Sequence, residues 1–299
     1  MLNKIAIFGV GLIGGSFALA LRRAYPSVQL VGVSRRASTL ARALELGIVD
    51  VASDSVAAAV ADADLVLLAA PVAQTEIILS QIRPHLGLNT VITDAGSTKQ
   101  DVVLAARTAL GDRIAQFVPG HPIAGRESNG PDAALADLYV GKKVILTPLP
   151  ENTMADVERV ASAWRQCGAV IHQLTPQQHD QVLAAVSHLP HLLAYALVDN
   201  LAVRDNADTL FQYAASGFRD FTRIAGSSPE MWRDISLANR SALLDELDAY
   251  LKQLERLREL LQRADGVQIE ALYANAQRAR QDWTRLIESA EKPAVQGGD

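Results

Sequence analysis

The first 173 residues alternate between short apolar runs and longer stretches in which apolar residues recur every three or four positions. Runs of four to seven residues without polar alternation are typical of strands buried on both faces of a sheet. The predicted strands lie at 4–8, 28–33, 64–70, 90–94, 117–122, 143–146 and 169–172. The predicted helices between them lie at 16–23, 72–82, 99–110 and 152–166. Strands that alternate with helices predict an α/β domain with a mostly parallel, doubly wound sheet.

The pattern changes at Thr175 and Pro176, a capping residue followed by a proline suited to the first turn of a helix. From there to Glu291 the apolar spacing is helical, and no strand is predicted. One long segment carries an apolar stripe, explained best by a bundle or coiled-coil seam, at Leu243, Leu247, Tyr250, Leu251, Leu254, Leu257, Leu260 and Leu261. The sequence therefore predicts an α/β domain over 1–173, an all-helical domain over 174–291 and a disordered tail over 292–299.

Composition narrows the function classes. The net charge of −5 argues against a nucleic-acid binder, which normally carries a basic face. The single cysteine, Cys167, excludes an internal disulfide and favours a reducing cytoplasm, where it is expected to be a small buried residue. No segment is expected to be apolar for long enough to span a bilayer, and no leader is expected before the first strand.

A glycine-rich turn follows the first predicted strand. Gly9, Gly11 and Gly14 have the G-x-G-x-x-G spacing of a dinucleotide-binding turn. The first glycine permits the turn, the second lets the backbone approach a pyrophosphate, and the third lets the helix pack on the sheet. The backbone N–H groups of the helix's first turn, including Leu12 and Ile13, then face the phosphates. This is the binding site predicted for a dinucleotide cofactor.

The identity of that cofactor depends on the end of the second strand. A NAD-specific site usually places an acidic residue there, but this chain has Ser34, Arg35 and Arg36. The guanidinium groups suit the 2′-phosphate of NADP, whereas the alternative is that both arginines are solvated surface residues and the cofactor is NAD. The sequence favours NADP and leaves NAD open.

Polar residues follow several predicted strands at the edge where open α/β sheets bind ligands. They are Ser97, Lys99 and His121. A histidine at this edge can act as a general base near neutral pH. The alternative for His121 is a loop histidine that bonds its own backbone.

The helical segment offers two further clusters. His188 and His191 have a spacing that metal sites use, but no supporting carboxylate or cysteine is suitably spaced, so no metal is predicted. Further on, Arg219 or Arg223 suits a bidentate grip on a substrate carboxylate, and a surface salt bridge to Asp220 is the equally weighted alternative.

Five segments in this order resemble the prephenate and arogenate dehydrogenases of tyrosine biosynthesis. They are 94–99 (Asp-Ala-Gly-Ser-Thr-Lys), 120–125 (Gly-His-Pro-Ile-Ala-Gly), 187–191 (Ser-His-Leu-Pro-His), 217–223 (Gly-Phe-Arg-Asp-Phe-Thr-Arg) and 229–234 (Pro-Glu-Met-Trp-Arg-Asp). The resemblance implies an NAD(P)-dependent oxidative decarboxylation of prephenate or arogenate. It implies that His121 removes the proton of the ring hydroxyl and that Ser97 hydrogen-bonds this hydroxyl.

The resemblance also implies residues that bind the substrate. It assigns His188 to substrate binding, Arg223 to a substrate carboxylate, and Asp220 and Trp232 to the pocket entrance, in part from a partner subunit. Dimerisation through the helical domain is implied as well, which suits the leucine stripe. Prephenate and arogenate differ by a keto group against an ammonium, and the sequence does not decide between them.

Two rival functions make different predictions. A β-hydroxyacid-type dehydrogenase would use a lysine of the helical domain, but residues 175–251 contain no lysine. A non-catalytic protein that senses NAD(P) would tolerate replacement of Ser97 and His121.

Overall fold

The computed structural model describes residues 2–126 and 128–291, with side chains up to Ile287. A six-stranded sheet, entirely parallel, has the strand order β3-β2-β1-β4-β5-β6. Its strands are β1 (Lys4–Phe8), β2 (Gln29–Val33), β3 (Val51–Ser53), β4 (Leu65–Leu68), β5 (Val91–Asp94) and β6 (Phe117–Val118). This order is that of the dinucleotide-binding doubly wound fold, as the sequence predicts.

Helices cover both faces of this sheet. They are α1 (Leu12–Ala24), α2 (Ala37–Glu45), α3 (Val56–Val60), α4 (Thr75–Ile82) and α5 (Gln100–Leu110). Along β1, Ile5 and Ile7 join one buried apolar cluster, and Ala6 and Phe8 join the other. After Lys4 this strand is apolar throughout because each of its faces packs against other buried apolar residues. Cys167 is buried in the first cluster, as predicted, and burial raises the pKa of its thiol.

The structure contains a second, three-stranded sheet, whereas the sequence predicts a single sheet. It consists of β7 (Gly120–Pro122), β8 (Lys143–Leu146) and β9 (Val170–Gln173), with α6 (Met154–Gln166) between the last two. β7 and β8 are antiparallel, and β8 and β9 are parallel. The predicted single strand 117–122 is wrong: it breaks at Pro119, which has no N–H for a ladder. Its two halves belong to different sheets.

The rest of the described chain is helical. The helices are α7 (Pro176–Leu183), α8 (Leu189–Ala202), α9 (Ala207–Gln212), α10 (Ser216–Thr222), α11 (Pro229–Ala238), α12 (Arg240–Gln262) and α13 (Gly266–Glu291). Thr175 caps α7 in a reciprocal capping box with Gln178. A π turn, Ala184–His188, joins α7 to α8. Pro190 has no N–H for the carbonyl four residues earlier, and the wider turn accommodates this gap.

The helical run Pro176–Ala202 is long and apolar enough, by length and composition, to cross a membrane. The expectation that no segment meets this test is therefore wrong. The same run carries His179 and Asp180, which are buried, and Asp180 accepts hydrogen bonds from backbone groups at the start of α5. Asp180 thereby connects the start of this run to α5.

The chain consists of two compact units, one that ends at Leu243 and one that begins at Leu244, so that the boundary between them lies within α12. The boundary predicted near residue 173 marks the change from strands to helices and stays a prediction. The predicted tail, 292–299, lies outside the described residues. In the leucine stripe, Leu251, Leu254 and Leu261 are exposed in the single chain.

Candidate functional site

The glycine turn between β1 and α1 contains two glycines that packing requires. Gly9 has a φ of +99°, and a Cβ there would lie 2.5 Å from the carbonyl oxygen of Ala69. A Cβ on Gly14 would lie 2.1 Å from the carbonyl oxygen of Gly9. A Cβ on Gly11, in contrast, would have no heavy atom of the chain within 4 Å. Protein packing therefore does not explain Gly11, whereas a ligand against the backbone does.

The start of α1 suits an anionic ligand. Gly11 is the N-cap and provides no side-chain hydrogen bond, and the first turn carries no acidic residue. The backbone N–H groups at the start of this helix, with the positive end of its dipole, attract a phosphate. Binding of the pyrophosphate by this turn, including Leu12 and Ile13, stays a prediction with which the geometry is consistent.

The residues after β2 lie beside this turn, because the N–H of Gly9 donates to the carbonyl of Val33 at 2.9 Å. Ser34 is half-buried and its Oγ accepts a hydrogen bond from the backbone N–H of Arg36 at 3.3 Å. The side chains of Arg35 and Arg36 are exposed. Two guanidinium groups thus stand at the position where an acidic residue would recognise a ribose hydroxyl.

A buried ion pair underlies the end of β5. Lys99 Nζ lies 2.5 Å from Asp94 Oδ2, and both side chains are buried. The same carboxylate accepts the backbone N–H of Gly96 at 2.8 Å and that of Gly120 at 2.9 Å. It therefore fixes the loop that carries Ser97 to the strand that carries His121. Lys99 is fully buried, and its charge also acts on His121.

His121 begins a chain of hydrogen bonds that runs into the helical part of the molecule. Its Nδ1 lies 2.8 Å from Nε2 of His179, and Nδ1 of His179 lies 2.8 Å from Oδ1 of Asp180. The Asp180 carboxylate also accepts the backbone N–H groups of Lys99 and Gln100, each at 2.8 Å. The sequence did not identify His179 or Asp180 as functional residues.

Burial decides the charge of these groups. Desolvation lowers the pKa of His121 well below its usual value, and the nearby charges of His179 and Lys99 lower it further. Desolvation also lowers the pKa of His179, although Asp180 opposes this. Burial alone would raise the pKa of Asp180, but its hydrogen bonds lower it. Near neutral pH the two imidazoles are therefore neutral and the carboxylate is ionised.

His188 lies in the interior next to Asn239. The Asn239 amide nitrogen lies 3.0 Å from Nδ1 of His188 and donates to the carbonyl of Asp180 at 2.8 Å. Burial lowers the pKa of His188 to about 4, although the backbone carbonyl of Ser97 opposes the shift. Nε2 of His188 makes no hydrogen bond of good geometry within the described residues. The assignment of His188 to substrate binding stays a prediction.

Of the two histidines His188 and His191, it is His191 that stacks on Trp232, a residue predicted to lie at the substrate pocket. Its ring stacks on Trp232, with centroids 3.5 Å apart and an angle of 19°. Burial lowers the pKa of His191, and the positive charge of Arg223 lowers it further. His191, Trp232 and Arg223 therefore form one cluster. The Trp232 ring also lies near His188, in an edge-on arrangement with the ring centroids 6.0 Å apart. The i, i+3 spacing of the two histidines was the available signal for this cluster.

Asp220 stands apart from this cluster. Its carboxylate lies 3.6 Å from Nε of Arg219, and both side chains are more than 70% exposed. The structure thus contains the surface ion pair that the sequence offered as an alternative. The assignment of Asp220 to the pocket entrance stays a prediction. Among the described residues, no group of three His, Cys, Asp or Glu side chains is arranged to hold a metal ion.

Comparisons with known proteins identify the family of this chain. Residues 17–173 match the family description "Prephenate dehydrogenase, nucleotide-binding domain", and residues 175–275 match "Prephenate dehydrogenase, dimerization domain". The cyclohexadienyl dehydrogenase of Zymomonas mobilis is 39% identical over 282 residues, which cover 93% of this chain and 95% of that protein. The prephenate dehydrogenase of Bacillus subtilis is 38% identical over 269 residues, which cover 89% of this chain and 72% of that protein.

Solved structures give the same result. The Aquifex aeolicus prephenate dehydrogenase in complex with hydroxyphenyl propionate and NAD+ is 36% identical, with a TM-score of 0.87 and coverage of 94% of this chain and 98% of that one. The Synechocystis arogenate dehydrogenase is 31% identical, with a TM-score of 0.79 and coverage of 94% and 99%. The matched domains include a nucleotide-binding and a dimerization domain, in agreement with the glycine turn and the exposed leucine stripe. This chain belongs to the prephenate dehydrogenase family, whose members are nicotinamide-dependent oxidoreductases.

Proposed function

We propose that this chain catalyses the oxidative decarboxylation of prephenate to 4-hydroxyphenylpyruvate. The observation that carries the proposal is the position of His121: it follows Gly120, whose N–H donates to Asp94 at the end of β5, and its Nδ1 lies 2.8 Å from Nε2 of His179. Burial lowers the pKa of this imidazole, which suits a proton acceptor. The name of the Bacillus subtilis relative supports prephenate as the substrate. The name of the Zymomonas mobilis relative favours a broader specificity, so arogenate is the second candidate substrate.

The chemistry requires one proton acceptor and a rigid arrangement of the substrate. A bound nicotinamide supplies the hydride acceptor. His121 accepts the proton of the ring hydroxyl as the hydride leaves the same carbon, and Ser97 hydrogen-bonds this hydroxyl. The electrons of the breaking bond to the ring carboxylate complete the aromatic ring, and carbon dioxide leaves. Because aromatisation drives the reaction, the protein mainly orients the substrate and removes the proton.

Four assays test this function directly. Purified protein is mixed with prephenate or with arogenate, in each case with NAD or with NADP, and the absorbance of the reduced nicotinamide is followed. We expect turnover of prephenate with at least one nucleotide. A protein that binds the nucleotide but turns over neither substrate would support the non-catalytic sensor instead.

Arg223 is proposed to bind a substrate carboxylate, in the cluster with His191 and Trp232. We expect Arg223→Ala to raise the KM for prephenate by about 10- to 100-fold, because a lost charge-assisted hydrogen bond costs about 1.5–3 kcal/mol. The KM for the nucleotide should stay unchanged. Arg219→Ala is the matched control, since Arg219 pairs with Asp220 on the surface. An unchanged KM in the Arg223 variant, or an equal rise in the control, would contradict this role.

NADP is the proposed cofactor, with NAD as the alternative. We expect Arg35→Ala combined with Arg36→Ala to raise the KM for NADP by ~10-fold or more, because a guanidinium forms strong hydrogen bonds with a phosphate. The KM for NAD should change much less. Arg42→Ala, which removes an arginine of α2 that binds Asp132, is the control. Equal effects on the two nucleotides would show that the arginines do not recognise a 2′-phosphate.

A homodimer through the helical domain is also part of the proposal. The exposed apolar side chains of α12 and the matched dimerization domain support it. Light scattering coupled to size exclusion measures the mass, and a value near 64 kDa is expected from two chains of 32.1 kDa. A mass of one chain at micromolar concentration would contradict it.

A further inference from the structure

The hydrogen-bond chain from His121 to Asp180 has a direction. Asp180 is ionised and can only accept, so the proton between it and His179 lies on Nδ1 of His179. A neutral His179 then has a lone pair on Nε2 and accepts a hydrogen bond from the Nδ1–H of His121. In a neutral imidazole only one nitrogen carries a proton. Nε2 of His121 is therefore left with its lone pair.

We propose that His179 and Asp180 are positioning residues that hold His121 as the Nδ1–H tautomer, with Nε2 as the proton acceptor for the substrate hydroxyl. This inference rests on the proposed function for its catalytic consequence. An imidazole without a partner prefers the Nε2–H form, which cannot accept a proton at that nitrogen. The chain thus supplies the reactive tautomer, in the way that a buried carboxylate orients the histidine of a Ser-His-Asp triad.

The chain also stabilises the product of the proton transfer. When His121 accepts a proton it becomes an imidazolium, in a half-buried position where desolvation makes positive charge costly. The Nδ1–H of that imidazolium keeps its hydrogen bond to His179, which is polarised by the ionised Asp180. Asp180 need not take up the proton itself.

Asp180 has a second contact that links the base to Ser97. Its two oxygens accept the backbone N–H groups of Lys99 and Gln100, at the start of α5. That helix begins directly after the loop with Ser97. One carboxylate therefore sets both the orientation of His121 and the position of the loop whose serine is proposed to bind the same hydroxyl.

The decisive comparison is His179→Leu with His179→Gln. Leucine removes both ring nitrogens, whereas the glutamine amide keeps an acceptor for His121 and a donor for Asp180. We expect the leucine variant to lower kcat by about 10²–10⁴-fold with little change in nucleotide affinity, and the glutamine variant to recover part of this loss. His172→Leu, which removes an exposed histidine of β9, should change nothing.

A spectroscopic readout separates positioning from a merely structural role. In protein with ¹⁵N-labelled histidine, the nitrogen shifts report which ring nitrogen carries the proton, and the six histidines can be assigned by single substitutions. We expect Nδ1–H at His121 in the wild type and a shift toward Nε2–H in His179→Leu. Nε2–H in the wild type, or a leucine variant with normal kcat and an unchanged tautomer, would overturn the proposal.

A second pair of variants tests the carboxylate. Asp180→Asn removes the charge and is expected to lower kcat at least tenfold. Asp64 also accepts two backbone N–H groups, those of Asn3 and Lys4, and lies at the opposite end of the sheet. Asp64→Asn therefore controls for the loss of backbone hydrogen bonds alone and should keep its kcat. Equal kcat losses in the two variants would contradict a role for Asp180 in positioning.

The tautomer is measured without substrate, so this test does not depend on the proposed reaction. A wild-type protein with the expected Nδ1–H tautomer but no turnover of prephenate or arogenate would refute the proposed function alone. A wild-type protein with turnover but the Nε2–H tautomer would refute the positioning role alone. If His179→Leu does not fold, the tautomer of His121 measured in the wild type still tests the positioning role.

Discussion

Replacement of His121 with asparagine is expected to lower kcat for prephenate oxidation by about 10²–10⁴-fold, the usual contribution of a general base. Asparagine can still donate a hydrogen bond to His179, so the local structure should persist. It has no basic nitrogen, however, and cannot accept the hydroxyl proton. Steady-state kinetics give kcat, and titration with the nucleotide should show unchanged affinity.

The pH dependence of the wild type tests the same role. A protonated His121 cannot accept a proton, so kcat/KM should fall as the pH drops through the pKa of this residue. Because burial and the charges of His179 and Lys99 lower that pKa, the acid limb is expected below pH 6.5, the usual value for histidine. His121→Asn should lack this limb.

The control for this experiment is His85→Asn, because His85 is exposed. This variant should keep both the turnover and the acid limb of the wild type. A His121→Asn variant with near-normal kcat would remove His121 as the base. An acid limb above pH 6.5 would show that the buried environment does not control the pKa in the free enzyme.

The parallel sheet was predictable because its signal is local. The central strands β1, β4 and β5 are buried along nearly their whole length, so their apolar runs are long, and the glycine turn directly follows β1. The short edge strand β3 is partly exposed and was not predicted. The division of 117–122 into two strands was not predicted. The pairing of Gly120 with Leu146 shows that β7 belongs to another sheet. Strand pairing is a long-range property that periodicity does not report.

The site was predictable only in part, for the same reason. His121 and Ser97 follow strands at the edge where ligands bind, so position along the chain identified them. His179 is 58 residues from His121, and Asp180 is 81 residues from Lys99. No spacing within α7 indicates these partners. The roles of His188 and His191 also depend on tertiary contacts, with Asn239 for the first and Trp232 for the second.

The second large effect is expected at the buried ion pair beneath the site. Lys99→Met keeps most of the length of the side chain and removes the charge that lies 2.5 Å from Asp94. Loss of one partner leaves an uncompensated buried charge, which costs about 3–5 kcal/mol in unfolding free energy. Urea unfolding at a fixed protein concentration measures the change. Turnover should fall as well, because Asp94 ties the Ser97 loop to the strand of His121.

Because of the environment of Asp94, we expect the loss in unfolding free energy to be about 3 kcal/mol, the lower end of the range of about 3–5 kcal/mol. Its carboxylate keeps the two backbone N–H bonds from Gly96 and Gly120 after Lys99 is removed, so part of its charge stays solvated by the protein. Arg83→Met is the control, since Arg83 pairs with Asp112 on the surface, where ion pairs contribute little. If both variants have the same urea midpoint of unfolding as the wild type, the Asp94–Lys99 pair does not stabilise the loop. The contact that fixes Ser97 would then lie elsewhere.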